Sequence, residues 1–173
     1  HRDLPSFPTR RSSDLSHMRG LMSKRRRNKS LELVCPAGTP AAFRVAVDAG
    51  ADTVYCGFCD ETNARNFPGL NFSRDELAAA IAYAHEHGVR VLVAVNTFPR
   101  AGTLGPWHLA VDDTARLGAD AVILADLGLL AYASENHPTL RLHLSVQAAA
   151  SFASMVVAAC TLVYPTLRAY ATA

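Results

Sequence analysis

GADTVYCG at residues 50–57 and LGADAVILAD at residues 117–126 set the same Gly-Ala-Asp triplet in front of a short apolar run. Each copy follows an Ala-rich segment of helical period, and Gly88-Val89 marks an equivalent joint between them. A glycine where a helix must stop and turn into a strand suits the left-handed conformation that closes helices. Outward from these joints the chain reads as a repeated strand–helix unit. The predicted strands are 31–35, 53–57, 89–95, 121–124 and 140–146, most of them rich in leucine or β-branched residues, as strands covered on both faces are. Helix starts lie between them. Thr39-Pro40 offers a cap followed by proline, Ser73-Arg74-Asp75-Glu76 is a capping box, Gly105-Pro106 opens a segment through Leu117, and Asp126 can cap a helix running to about Asn136. Alternation at this spacing predicts an α/β fold of parallel strands with right-handed crossovers, either a barrel or a doubly wound sheet.

Composition narrows the function classes. The chain has 173 residues, 50% hydrophobic and 18% charged, with a net charge of +2, which excludes a disordered or fibrous protein. The charge is uneven, about +7 over residues 1–30 and −5 over the rest. The basic run from Lys24 to Lys29 has no interleaved aromatics, and Ser6–Leu15, SFPTRRSSDL, resembles a translated sequencing adapter. Residues 1–30 are therefore expected to be an artefactual, disordered leader, and no nucleic-acid partner is expected from them. Four scattered cysteines and no recognisable leader peptide point to a reducing, cytoplasmic setting. The organisation expected is this leader, one domain over 31–150, and a divergent apolar tail over 151–173 with the single charge Arg168. The tail lacks the flanking belts of a membrane span, so no span is expected.

In either parallel architecture ligands bind beyond the carboxyl ends of the strands. The loops there carry Asn63, Arg65, Asn96, Asp126, Ser145 and Gln147, which could converge on a small polar or anionic ligand with Arg65 as a bidentate clamp. Some of these side chains could instead cap helices, Asp126 above all.

These loops also carry a resemblance. C-P-A-G at 35–38, T-N-A-R-N-F at 62–67, G-L-N-F at 69–72, N-T-F at 96–98 and S-V-Q-A at 145–148 together resemble the collagenase-like peptidase family U32, nearest its UbiU-type, ubiquinone-biosynthesis branch. The likeness runs from about Leu31 to Ala150 and implies the first five β/α units of an incomplete TIM-like barrel. For the whole protein it implies oxygen-independent hydroxylation in ubiquinone biosynthesis, a four-cysteine (4Fe-4S) cluster and a related family member as partner subunit. Other members imply collagenase-like proteolysis or hydroxylation of RNA bases, and a non-catalytic module binding a small anion or a partner is a further alternative. The cluster cysteines implied by the resemblance lie downstream of the matched region, so no metal ligand carries over. This stretch alone is expected to be inactive, and its open barrel wall is expected to associate or aggregate.

Four other motifs have ordinary readings beside their chemical ones. Cys56-Gly57-Phe58-Cys59 with Cys35 could group three thiols around a metal, but no helix opens after the C-x-x-C spacing, and small buried roles for Cys35 and Cys56 are expected. Cys160 has no visible partner. His85 and His87 are two apart rather than four and are expected to face solvent, as are the helical carboxylates Asp112 and Asp113. Ser145 sits in no nucleophile-elbow pattern.

Overall fold

The computed structural model describes residues 31–148; the leader over 1–30, the tail over 151–173 and Cys160 lie outside the described residues. Five strands alternate with four helices: β1 Val34–Pro36, α1 Pro40–Asp48, β2 Thr53–Gly57, α2 Arg74–Glu86, β3 Arg90–Val95, α3 Gly105–Arg116, β4 Ala121–Leu124, α4 Leu127–Asn136 and β5 Arg141–Leu144, followed by a 3-10 turn, Val146–Ala148. All neighbouring strands are parallel, and their spatial order follows the chain order. A doubly wound sheet would reverse direction at a switch point. An unreversed order is that of a barrel wall, so the barrel alternative holds.

The repeated triplet has a physical role at each of its letters. Gly50, Gly88 and Gly118 lie at φ 88°, 69° and 81°, and in each case the following amide reaches back to the last helical turn: Ala51 to Ala46, Val89 to Ala84 and Ala119 to Thr114. That backbone bond closes the helix only if the glycine position is left-handed. The Asp then ties the new strand to its neighbour. Asp52 donates its N–H to Leu33 O and accepts Leu33 N–H on Oδ2, and Asp120 makes the same pair of bonds with Val91. Sequence identity between two distant triplets thus reflects one joint built twice.

The helix starts follow the capping chemistry of their sequences. Thr39 Oγ1 accepts from Ala42 N, Ser73 and Glu76 form a reciprocal capping box, and Asp126 accepts from Leu129 N at 2.9 Å. α3 has no side-chain cap and starts on Gly105-Pro106. Strand limits differ from expectation at two places. β1 begins only at Val34, and β5 stops at Leu144, because Ser145 Oγ accepts Gln147 N–H and Ala148 N–H bonds Ser145 O, which winds the chain into the 3-10 turn.

Successive strand residues face opposite ways. Val54, Cys56, Val91, Val93, Val95, Val122 and Leu124 are buried with Phe43, Leu77, Ile81, Trp107, Leu129 and Leu130 in the core between sheet and helices. Trp107 also donates Nε1–H to Thr97 Oγ1 at 2.9 Å, which satisfies its polar edge.

Asp112 and Asp113 are corrected by the helix layer. Asp113 is only 6% exposed, with Oδ2 3.1 Å from Arg74 Nε and Oδ1 2.7 Å from Arg116 Nη2. Asp112 accepts from Tyr132 Oη and pairs with His137 Nε2 at 2.7 Å. α3 packs beside α4 and its Asp113 reaches the start of α2, so the adjacent carboxylates serve two different neighbours; Asp113 is withdrawn from solvent, while the Asp112 side chain, 43% exposed, still faces it in part. His85 and His87 are exposed as expected; His85 meets Asp120, and the His87 ring lies tilted against Tyr83.

Candidate functional site

A cavity of about 620 Å³ opens at the carboxyl ends of the strands. Pro36–Gly38 form one wall, the long loop after β2 contributes Asn63, Arg65, Phe67 and Asn71, and Asn96 follows β3. Ser145, Val146 and Gln147 close the far side, while Tyr55, Ala94, Ile123 and His143 rise from the strands as its floor. Five of the six expected residues are thus brought together. Asp126 is not among them; its carboxylate is engaged at the start of α4.

The β2 loop is held by its own asparagines. Asn63 is buried, donates Nδ2–H to Phe58 O at 3.2 Å and accepts Arg65 N–H on Oδ1 at 3.0 Å. Its amide lies where a Cβ on Gly57 would sit, 2.4 Å from Nδ2, so a glycine is required there for the asparagine to pass. Asn71, at φ 74°, donates its N–H to Gly38 O and Nδ2–H to Arg65 O, tying the middle of the loop to its far end and that end to the first wall. Asparagine tolerates that backbone region better than most residues. Beneath the loop Arg74 bonds Asp60 and Asp113 and lies 4.1 Å over the Phe58 ring, while Asp60 also accepts from Thr62.

This arrangement separates holding residues from presenting ones. Asn63 spends both ends of its amide on backbone, so it shapes the loop. Arg65 makes no side-chain bond among the described residues and is exposed at the cavity, and no Asp or Glu lines the space. Partial burial, with the charge of Arg141 next, holds the His143 imidazole below its ordinary pKa, so it is largely neutral at pH 7. Arg65 is therefore the permanent cation of the lining, suited to a carboxylate or phosphate. Tyr55, Asn71 and His143 escaped the sequence reading, since assigning them needs the facing of each strand and the path of the β2 loop.

The described cysteines do not furnish a metal site. Cys56 is buried on the core side, and burial pushes its thiol up to about 12, the opposite of what a thiolate ligand needs. Cys35 is half-buried and Cys59 exposed, and among the described residues no three His, Cys, Asp or Glu side chains group to hold a metal. These residues do not fit the ligand set of an iron–sulfur cluster. Nor is there a nucleophile–base pair here: Ser145 Oγ accepts only a backbone N–H, and Cys56 is protonated and buried. Among the described residues no helix is long and apolar enough to cross a membrane.

Comparison with known proteins agrees with this fold. Residues 38–162 match the family model described as Peptidase family U32. An uncharacterized protease of Methanocaldococcus jannaschii is 37% identical over 68% of this chain and 28% of its own length. The tRNA hydroxylation protein P of Helicobacter pylori is 34% identical over 68% of this chain and 28% of its own. A 23S rRNA 5-hydroxycytidine synthase of Escherichia coli is 34% identical over 68% of this chain and 17% of its own. The chain therefore spans between 17% and 28% of the length of these relatives. Among solved structures, a U32 peptidase superposes with a TM-score of 0.58 at 15% identity, covering 76% of this chain and 55% of that one.

Proposed function

The chain belongs to peptidase family U32, and from that premise we propose that it forms the ring-binding part of a member of the hydroxylation type. The observation that carries this reading is the acid-free cavity whose lining includes Arg65 together with the aromatic side chains Tyr55 and Phe67. Its volume falls within the range of about 300–1,000 Å³ usual for small-molecule sites. A planar ring would lie against the aromatic side chains while an anionic substituent meets the guanidinium. The relatives named for tRNA and rRNA hydroxylation favour a pyrimidine nucleotide as that ligand. In RNA it would enter as a base turned out of its stack. Proteolysis finds no support in the described side chains.

A second reading, the ring of a ubiquinone precursor, rests on one observation. Phe67, Leu70 and Val146 are exposed apolar side chains among the residues lining the cavity, a rim along which a prenyl chain could lie. Under either reading the whole protein is proposed to use an iron–sulfur cluster held by residues outside those described and a related partner subunit, as the family resemblance implies.

Calorimetric titration of the chain with cytidine 5′-monophosphate, cytidine and a geranylated benzoquinone tests the reading. Arg65→Ala should weaken the monophosphate about tenfold to a hundredfold, the worth of a charge-assisted contact, and change cytidine little. Absence of binding by all three at millimolar concentration refutes it.

A further inference from the structure

The cavity holds two donors with nothing to donate to. Asn96 is 6% exposed, and its Oδ1 accepts the Ala64 N–H at 2.9 Å, which fixes the orientation of the amide. Nδ2 is therefore the end left for the cavity, and among the described residues it donates to no protein atom. Because no buried side-chain polar atom lacks a partner among the described residues, Nδ2 is not sealed in and must meet the cavity's contents. Ser145, 7% exposed, repeats the arrangement: its Oγ accepts Gln147 N–H at 3.1 Å and, among the described residues, its hydroxyl proton goes to no protein acceptor. Both lie in the lining.

Their spacing comes from the sheet register. Val95 pairs with Leu124 and Leu124 with Leu144, so Asn96, Ala125 and Ser145 occupy one level, just past the strand ends. Two strand intervals separate the outer backbones by about 10 Å. The central position is alanine, and Asn96 and Ser145 both line the cavity at this level. An aromatic ring with acceptors on its edge fits between them; a ring presenting donors there would leave both protein groups unpaired, which is costly in a buried site.

We infer that Asn96 and Ser145 form a donor pair selecting the acceptor edge of a planar ring, as cytosine presents with O2 and N3 and a quinone with its carbonyls. The inference rests on the ring-binding reading and adds the polarity of the ring it takes. Asn96→Asp is the sharpest change, since it keeps an oxygen for Ala64 N–H and replaces the donor with a carboxylate. Ser145→Ala removes the other donor.

The test is titration of wild type, Asn96→Asp, Ser145→Ala and Arg65→Ala with cytidine 5′-monophosphate, its N3-methylated form and the geranylated benzoquinone, each variant's fold checked by its urea midpoint. We expect Asn96→Asp to weaken the better wild-type ligand at least about tenfold and Ser145→Ala about threefold to tenfold. If the nucleotide is that ligand, N3-methylation, which blocks the acceptor and leaves the base cationic, should weaken it on wild type and cost less, or reverse in sign, on Asn96→Asp. Loss confined to the nucleotide or to the quinone identifies which source supplies the ring. Binding that both donor variants leave within twofold, while Arg65→Ala still weakens the nucleotide, overturns the donor pair and spares the broader reading. No binding of any probe to wild type overturns both.

Discussion

Gly57→Ala offers a direct test of how the cavity loop is held. The added methyl would lie 2.4 Å from Asn63 Nδ2, 2.8 Å from Asn63 Cγ and 3.3 Å from Ala94 O. The asparagine cannot yield cheaply, because its Nδ2 and Oδ1 are both bonded to backbone and it is buried. Displacing it forfeits two hydrogen bonds at about 1 kcal/mol each and adds about 1–3 kcal/mol of overpacking, less whatever relaxation recovers, for a loss of about 2–4 kcal/mol. In urea that lowers the midpoint by about 1–3 M. Asn63→Ala alone should cost about 2 kcal/mol by leaving Phe58 O and Arg65 N–H without partners. The double variant is the decisive one. With the amide gone the new methyl has space, so the pair should be no less stable than Asn63→Ala to within about 0.5 kcal/mol. Additive losses would show that Gly57 is required by something other than Asn63 and refute the reasoning.

Two further outcomes follow from titration and exposure. Burial acts to raise the Asp113 carboxyl, but hydrogen bonds and charge from Arg116 and Arg74 outweigh it and hold the group below its ordinary value. Its contribution is therefore complete above the unfolded carboxylate pKa and is lost as pH falls through the lowered folded one. Asp113→Asn should cost about 1–3 kcal/mol at pH 7 and flatten the decline of the urea midpoint below about pH 4; an unchanged acid slope would contradict this. Among the described cysteines, a thiol reagent at pH 8 should label Cys59 rapidly and leave Cys56 unmodified until unfolding, since one is exposed and the other buried with a thiol near 12. Peptide mapping that finds Cys56 labelled in the native state would count against the burial.

Local chemistry was readable along the chain wherever one residue acts on its sequence neighbours. Thr39, Ser73 and Asp126 cap helices because a short side-chain oxygen reaches an amide two or three residues on. The glycine joints and the three middle strands were readable for the same reason. Contacts made across the sheet were not. The Gly-Ala-Asp repeat was visible, but the job of Asp52 and Asp120 needs Leu33 and Val91 brought alongside. Asp112 and Asp113 looked solvated because a helix face carries no mark of having neighbours on both flanks. Asn63 and Arg65, two residues apart, looked alike as ligand groups; the fold makes one a brace and leaves the other presented. Asp126 could not both cap and bind, and the cap took it.

Along β2, β3 and β4 the residues alternate between those buried against the helices, such as Val54, Val93 and Val122, and those turned to the cavity side, such as Tyr55, Ala94 and Ile123. Two vocabularies are therefore written letter by letter into one strand, one for standing up and one for choosing a guest. Selection can rewrite the second without erasing the first, because a change at Tyr55 or Ile123 leaves the buried residues on either side, Val54 and Cys56 or Val122 and Leu124, in place. A scaffold of this kind can keep its architecture across a lineage while its chemistry wanders, and a catalogue of activities grouped under one ancestral shape is what such interleaving would produce.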